Sequence, residues 1–349
     1  MIAGRLVVTG GAGRPYALDA VTLRTEGVES FDGRLPDREL LLIGTPHFDP
    51  SRNRLCYLEM DPATHAVVLW EVDPSGRAER TMRVSLPRFF LLHDFALTPR
   101  KLIVPGGGVF LSYERLPSYL LGAAPMGHCF PFRPEVGIEF HVFNRRSINE
   151  VRVYQVRTPG YPVHVANAYD EGDTVVLDIS IHSTDAAVRG YTTSLAGGEA
   201  YEAFRSSLHR VRLFADGGSR MEPLVPGLNV EAPTVDPRRE GRPHRYIYAM
   251  ETQRGVIGGS RVVRVDTERR ETRTFDFGPG CIVSEPLFIP RRPADGKEEE
   301  GWVSVLVYDS ARDAHFLSLL DAESFDDEAA RLDVSQRLPY LYHGTFAQA

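Results

Sequence analysis

Cysteine is nearly absent from these 349 residues. Cys56, Cys129 and Cys281 are widely spaced and odd in number, which offers no disulfide framework and no Cys-x-x-Cys metal site and fits a reducing compartment. Positive charge is also short: 40 Lys and Arg face 47 Asp and Glu, for a net charge of −7. Such a chain lacks the basic footprint that neutralises phosphates, so nucleic acid is not an expected partner. No apolar run reaches bilayer-spanning length. The opening residues, MIAGRLVVTGG, have neither the charged nor the apolar region of a secretory leader. The expectation is a soluble, cytoplasmic protein. Several catalytic signatures are missing as well: there is no HExxH, no histidine pair at zinc spacing and no GxSxG elbow. The glycines at Gly10, Gly11 and Gly13 and at Gly106 to Gly108 lack the Lys-Ser/Thr and following helix of a phosphate loop, so no nucleotide cofactor is expected.

What is present reads as β structure around a real core. Hydrophobic residues make up 42% and charged residues 25%, which excludes wholesale disorder. Short runs rich in Val, Ile, Leu and Tyr recur: Arg54–Met60, Ala66–Val72, Thr174–Ile181, His209–Phe214, Arg245–Met250, Arg261–Val265 and Trp302–Tyr308. Turn residues separate them, as at Asp73 to Gly76, Asp170 to Asp173 and Asp216 to Gly218. Helical periodicity is scarce, with short helices expected at 197–206 and 322–331. The charge run Arg291 to Glu300 reads as a solvated surface loop. Length alone suggests two domains, but all-β units often run longer. The number of strands exceeds an ordinary sandwich and favours a β-propeller, although no repeat of fixed period is visible.

Eleven histidines are spread along the chain. Four stand out by their apolar, strand-edge surroundings: His47, His93, His164 and His343. Singly, each is better read as a hydrogen-bonded core residue. As a set they take on another meaning through the segments around them. Those segments are PYALD from Pro15, TLRTEG from Thr22, the His47 segment GTPHFDP, HDFALT from His93 and HVANAYDEGD from His164. They continue with Val230-Glu231-Ala232-Pro233, Arg245 to Tyr248, Ser284-Glu285-Pro286, Glu300-Gly301-Trp302, Leu320-Asp321-Ala322 and LYHGTF at the C-terminal end. In that order the sequence resembles the carotenoid cleavage oxygenase family, which includes apocarotenoid oxygenases, stilbene-cleaving oxygenases and the retinoid isomerase of the visual cycle.

The resemblance implies one domain over 1–349, a seven-bladed β-propeller with an apolar loop cap over its top face. It implies an axial Fe(2+) held by His47, His93, His164 and His343. Imidazole suits ferrous iron, and four neutral ligands leave positions open for dioxygen. Glu231 and Glu285 match carboxylates that accept the second ring N–H and fix ring orientation, as partners of His164 and His343; their bland reading is a surface position at strand ends. No catalytic side chain beyond the metal site and no organic cofactor are implied.

Two departures accompany the resemblance. A third supporting glutamate would fall at Gly11, which leaves one ligand, expected to be His93, without its carboxylate. The family's N-terminal segment is also missing, so either the start lies further upstream or the ring is shortened and unclosed, with exposed sheet edges. The apolar stretch Leu116 to Phe132 is expected either as a tunnel mouth with peripheral membrane contact or as a loop buried on the propeller. Phe89, Phe90, Phe95, Tyr161 and Phe288 fit tunnel walls and core packing equally well. Gly10 replaces a lysine that phenol-gripping relatives carry, which favours a polyene over a hydroxystilbene.

The expected function is O2-dependent cleavage of a conjugated C=C bond in a lipophilic carotenoid or apocarotenoid. The alternatives are a catalytically impaired, lipophile-binding scaffold and a stilbene-cleaving oxygenase.

Overall fold

Each of the seven strand-like runs forms a strand, because a side-chain period of two lets one strand serve two cores at once. A computed structural model describes residues 2–10, 13–36, 41–183, 205–252, 259–292, 296–339 and 343–346. Its first sheet holds β1 (Arg5–Val8), β2 (Tyr16–Asp19) and β3 (Thr25–Val28). The second holds β4 (Leu41–Leu42), β5 (His47–Asp49), β6 (Arg54–Asp61), β7 (Ala66–Val72) and β8 (Ala78–Ser85). The third holds β9 (Ala96–Leu97), β10 (Lys101–Gly107), β11 (Ile138–Asn144) and β12 (Ser147–Val156). The fourth holds β13 (Tyr161–Glu171), β14 (Thr174–His182), β15 (Ser206–Leu213) and β16 (Ser219–Pro223). The fifth holds β17 (Val230–Thr234), β18 (Tyr246–Glu251), β19 (Arg261–Asp266) and β20 (Glu271–Asp276). The sixth holds β21 (Cys281–Val283), β22 (Leu287–Pro290), β23 (Gly301–Asp309), β24 (Ala314–Asp321) and β25 (Glu328–Val334).

Every sheet is an antiparallel meander of consecutive strands, and successive sheets stack face to face. In β7, Val67 and Leu69 enter the core shared with the third sheet, while Val68, Trp70 and Val72 enter the core shared with the first. In β18, Ile247 and Ala249 face the fourth sheet while Tyr246, Tyr248 and Met250 face the sixth. Full burial of a Val, Leu, Ile or Met among them contributes about 1.5–3 kcal/mol. The result is an all-β propeller. The expected seven blades are corrected to six sheets, because the described strands from Arg5 to Val334 are used up by six meanders and the first has three strands. The hydrophobic clusters run between consecutive sheets from first to sixth; among the described residues none of them joins the sixth back to the first.

Two further expectations change. The helix expected at 322–331 is instead a tight turn followed by β25, whose residues pair with β24 along an exposed edge; pairing with an available strand overrides local helix propensity. The helix expected at 197–206 lies almost wholly outside the described residues, as does Gly11. Nor is the Arg291–Glu300 run simply solvated: the buried Glu298 accepts the backbone N–H groups of Arg245 and Tyr246 at 2.8 and 2.7 Å. That fixes the entry to β18.

First strands of neighbouring sheets touch: β5 packs on β9, β9 on β13 and β13 on β17. In the second and sixth sheets the first strand is broken, at 43–46 and at 284–286, with both halves pairing the same neighbour. His47, His164 and Glu231 lie on these inner strands and Glu285 in the second of the breaks, while His93 lies in the segment leading into β9 and His343 in the segment beyond β25. Between β10 and β11 runs a helical segment containing α1 (Leu116–Leu120). Leu116, Cys129, Phe130 and Phe132 pack with Tyr161 and Val163 at the start of β13, while Leu120 and Leu121 are 71% and 83% exposed. No helix among the described residues is long and apolar enough to cross a membrane.

Candidate metal centre

His164 owes its aim to an irregular strand. The register of β13 against β14 shifts on both sides of Val165, and such bulges re-aim a side chain. The backbone N–H of His164 donates to the Ser180 hydroxyl at 3.1 Å. Its ring Nδ1 donates to Glu231, which leaves Nε2 directed at Nε2 of His93, 2.9 Å away. Glu231 sits on β17 just before another register shift, where Ala232 takes the left-handed conformation at φ 47°. That geometry is uncommon for a residue with a Cβ, and the Glu231 carboxylate beside it is buried. It collects His182 Nε2, the Ser180 and Ser206 hydroxyls and the Ala232 N–H besides His164.

His343 completes the group. Its Nδ1 lies 3.2 Å from Glu285 Oε1, and the N–H of Gly344 donates to Oε2 at 3.1 Å. One carboxylate in the break between β21 and β22 thus grips both the ring and the following amide. Ring centroids are separated by 4.6 Å for His93 and His164, 5.0 Å for His164 and His343, and 6.0 Å for His93 and His343. One nitrogen from each ring lies within 4.8 Å of the others. Two nitrogens about 2.1 Å from one ion and at right angles to each other lie about 3 Å apart, so the His93–His164 spacing fits a shared cation.

The electrostatics differ from ring to ring: burial opposes charge on His164, yet the Glu231 carboxylate raises it above its ordinary value. Burial and the neighbouring imidazoles of His164 and His343 push His93 down to about 3, which keeps its lone pair free near neutral pH. Burial opposes charge on Glu231, yet His164 and His182 hold its carboxyl well below the usual range. An ionised carboxylate on Nδ1 raises the basicity of the opposite nitrogen and fixes the tautomer.

The sequence-derived quartet is a trio in the structure. His47 stands apart, with Nε2 2.8 Å from Asp94 Oδ1 and Nδ1 2.7 Å from Glu240 Oε1. Burial opposes its charge, but the two carboxylates raise it to about 10. A ring that donates from both nitrogens has no lone pair to give a metal. Asp94, buried and held down at about 2 despite burial by His47 and its other donors, is the residue that sequence reasoning passed over. It accepts from Thr45 Oγ1 at 2.7 Å, from the N–H of Phe95 at 2.8 Å and from the N–H of Val165 at 2.7 Å. Its signal was its place in HDFALT, directly after His93. His182, Ser180 and Ser206 had no local signal. Of the proposed tunnel aromatics, Phe90 and Phe95 lie in the core of the second and third sheets and Phe288 in that of the fifth and sixth. Phe89 and Tyr161 pack with the α1 segment beside His164.

A sequence model of the family described as retinal pigment epithelial membrane protein matches residues 1–348. The apocarotenoid-15,15'-oxygenase of Synechocystis is 28% identical over 99% of this chain and 71% of its own length. A chloroplastic 9-cis-epoxycarotenoid dioxygenase of Oryza sativa subsp. japonica is 28% identical over 99% of this chain, which spans about half, 53%, of that relative. The crystal structure of the cobalt-substituted Synechocystis apocarotenoid oxygenase superposes with a TM-score of 0.88 at 26% identity, covering 100% of this chain and 73% of that one.

Proposed function

The chain belongs to the retinal pigment epithelial membrane protein family, that of the carotenoid cleavage oxygenases, and from that premise we propose a non-haem iron(II) dioxygenase built as one domain over 1–349. It cleaves a conjugated C=C bond of a carotenoid or apocarotenoid with O2, and both oxygen atoms leave in two carbonyl products. The observation that carries this reading is the convergence of His93, His164 and His343 on one point, two of them backed by carboxylates.

His93, His164 and His343 would hold Fe(2+) through one nitrogen each. Bound there, the ion supplies redox-active, open-sided chemistry toward O2. Glu231 and Glu285 orient two of the rings and keep their outer nitrogens protonated. The apolar segment around α1 supports a lipophilic substrate, since one face packs on the strand that carries His164 and the other exposes Leu120 and Leu121. That exposed face is the place for peripheral contact with a membrane from which a polyene is drawn.

The test is metal content together with O2-dependent loss of polyene absorbance. One metal per chain and aldehyde products are expected, with both lost in His164→Ala. An unchanged rate in that variant overturns the proposal. Polyene binding without turnover indicates a lipophile-binding scaffold, and turnover of a hydroxystilbene in preference to an apocarotenal indicates a stilbene-cleaving oxygenase.

A further inference from the structure

His47 and Asp94 form a second polar group beside the trio, and the contacts show what it holds. Asp94 follows His93 in the chain, and its Oδ2 accepts the N–H of Val165, the residue after His164. A single buried carboxylate therefore ties together the backbones that carry two of the three converging rings. Its Oδ1 is occupied by Thr45, His47 and the N–H of Phe95.

His47 is held in turn. Its far nitrogen meets Glu240 in the loop between β17 and β18. That loop is anchored to β13 by Asn167, whose amide donates to the carbonyls of Arg239 and Arg242 and whose Oδ1 accepts from the N–H of Gly241. Asn167 lies three residues beyond His164. The contacts thus close a circuit, from β13 through the 239–242 loop, Glu240, His47 and Asp94 back to β13. Phe95 packs edge-on against the His47 ring, with centroids 4.7 Å apart, and fixes it from the side.

We infer that His47 is not a metal ligand but a positioning residue, which locks Asp94 so that Asp94 sets the spacing of His93 and His164. The inference rests on the trio being the metal site. Two carboxylates on one ring occupy both nitrogens, and an N–H donor cannot also be a lone-pair donor. The role follows from geometry: Asp94 can hold the His93 and Val165 segments at one separation only while its own carboxylate is fixed.

The test is a double-mutant cycle on Co(II) binding to the full-length protein, with His47→Gln, Asp94→Asn and the double variant, reading affinity, stoichiometry and the visible cobalt spectrum. Melting temperatures are recorded in parallel. His47→Gln should still take one Co(II) per chain, with affinity lowered about ten-fold and an altered spectrum, in the range typical of residues behind a ligand. The double variant should bind no more weakly than Asp94→Asn alone, because His47 acts through Asp94. Multiplied losses in the double variant overturn the inference. So does an affinity within two-fold of the parent in His47→Gln, and so does abolished binding there with a folded chain, which would make His47 a ligand. Should Asp94→Asn fail to fold, Glu240→Gln replaces it: a loss smaller than that of His47→Gln, and none added to it, is then expected, and additive losses overturn the inference. Failure of the underlying reading is separate, since it shows as a parent that takes no Co(II) or as His164→Ala that keeps it.

Discussion

His164 and His47 are alike in almost every local respect. Both lie on the inner strand of their sheets, both are largely buried and both reach carboxylates. The difference is the number of carboxylates at each ring. Glu231 takes one nitrogen of His164 and leaves the other facing His93, whereas Asp94 and Glu240 take both nitrogens of His47. One carboxylate prepares an imidazole for a metal by fixing its tautomer; two turn it into a cationic tie between strands. The chemistry of a histidine here is set by how many acceptors surround it, not by the strand it occupies.

The comparison can be broken first at Glu231, where the largest effect is expected. Glu231→Gln puts an amide that can also donate among five donors, so His164 loses its fixed orientation. Co(II) affinity should fall about 10–100-fold, read by metal titration; an affinity unchanged from the parent contradicts the role given to this carboxylate. At Glu285 the same substitution should cost less, under about ten-fold. His343 is 33% exposed and its contact with Glu285 is 3.2 Å long, so water can replace much of what is lost. A loss at Glu285 larger than that at Glu231 reverses this order.

The smallest effect sharpens the contrast from the side of His47. Its ring is raised from 6.5 to about 10 in the folded chain, where the carboxylates outweigh burial. A folded value above the unfolded one contributes stability that is complete below about pH 6.5 and lost as the pH rises toward 10. The stability difference between parent and His47→Gln, measured by denaturant unfolding, should therefore shrink across that window. A difference that does not change between those limits contradicts the charged tie.

How much of this was legible in the sequence follows from the range of each interaction. Strands such as β7 and β18 show as short apolar runs bounded by turn residues, so composition over a few residues was enough. His93, His164, His343, Glu231 and Glu285 were reached through the family resemblance, and the structure draws them together as two ring–carboxylate pairs and a third ring. The place of His47 was not legible, because its partners lie 47 and 193 residues away. The motif around it, Thr45 to Pro50, reads the same whether its ring faces a cation or two carboxylates. The blade count failed for a similar reason: without a fixed repeat, the number of meanders had to come from the resemblance rather than from the strands.

The most direct measurement is X-ray absorption on the cobalt-loaded parent and on His47→Gln, counting imidazoles from their scattering. About three in both proteins is the predicted result. Four in the parent, falling to three in the variant, would contradict the account.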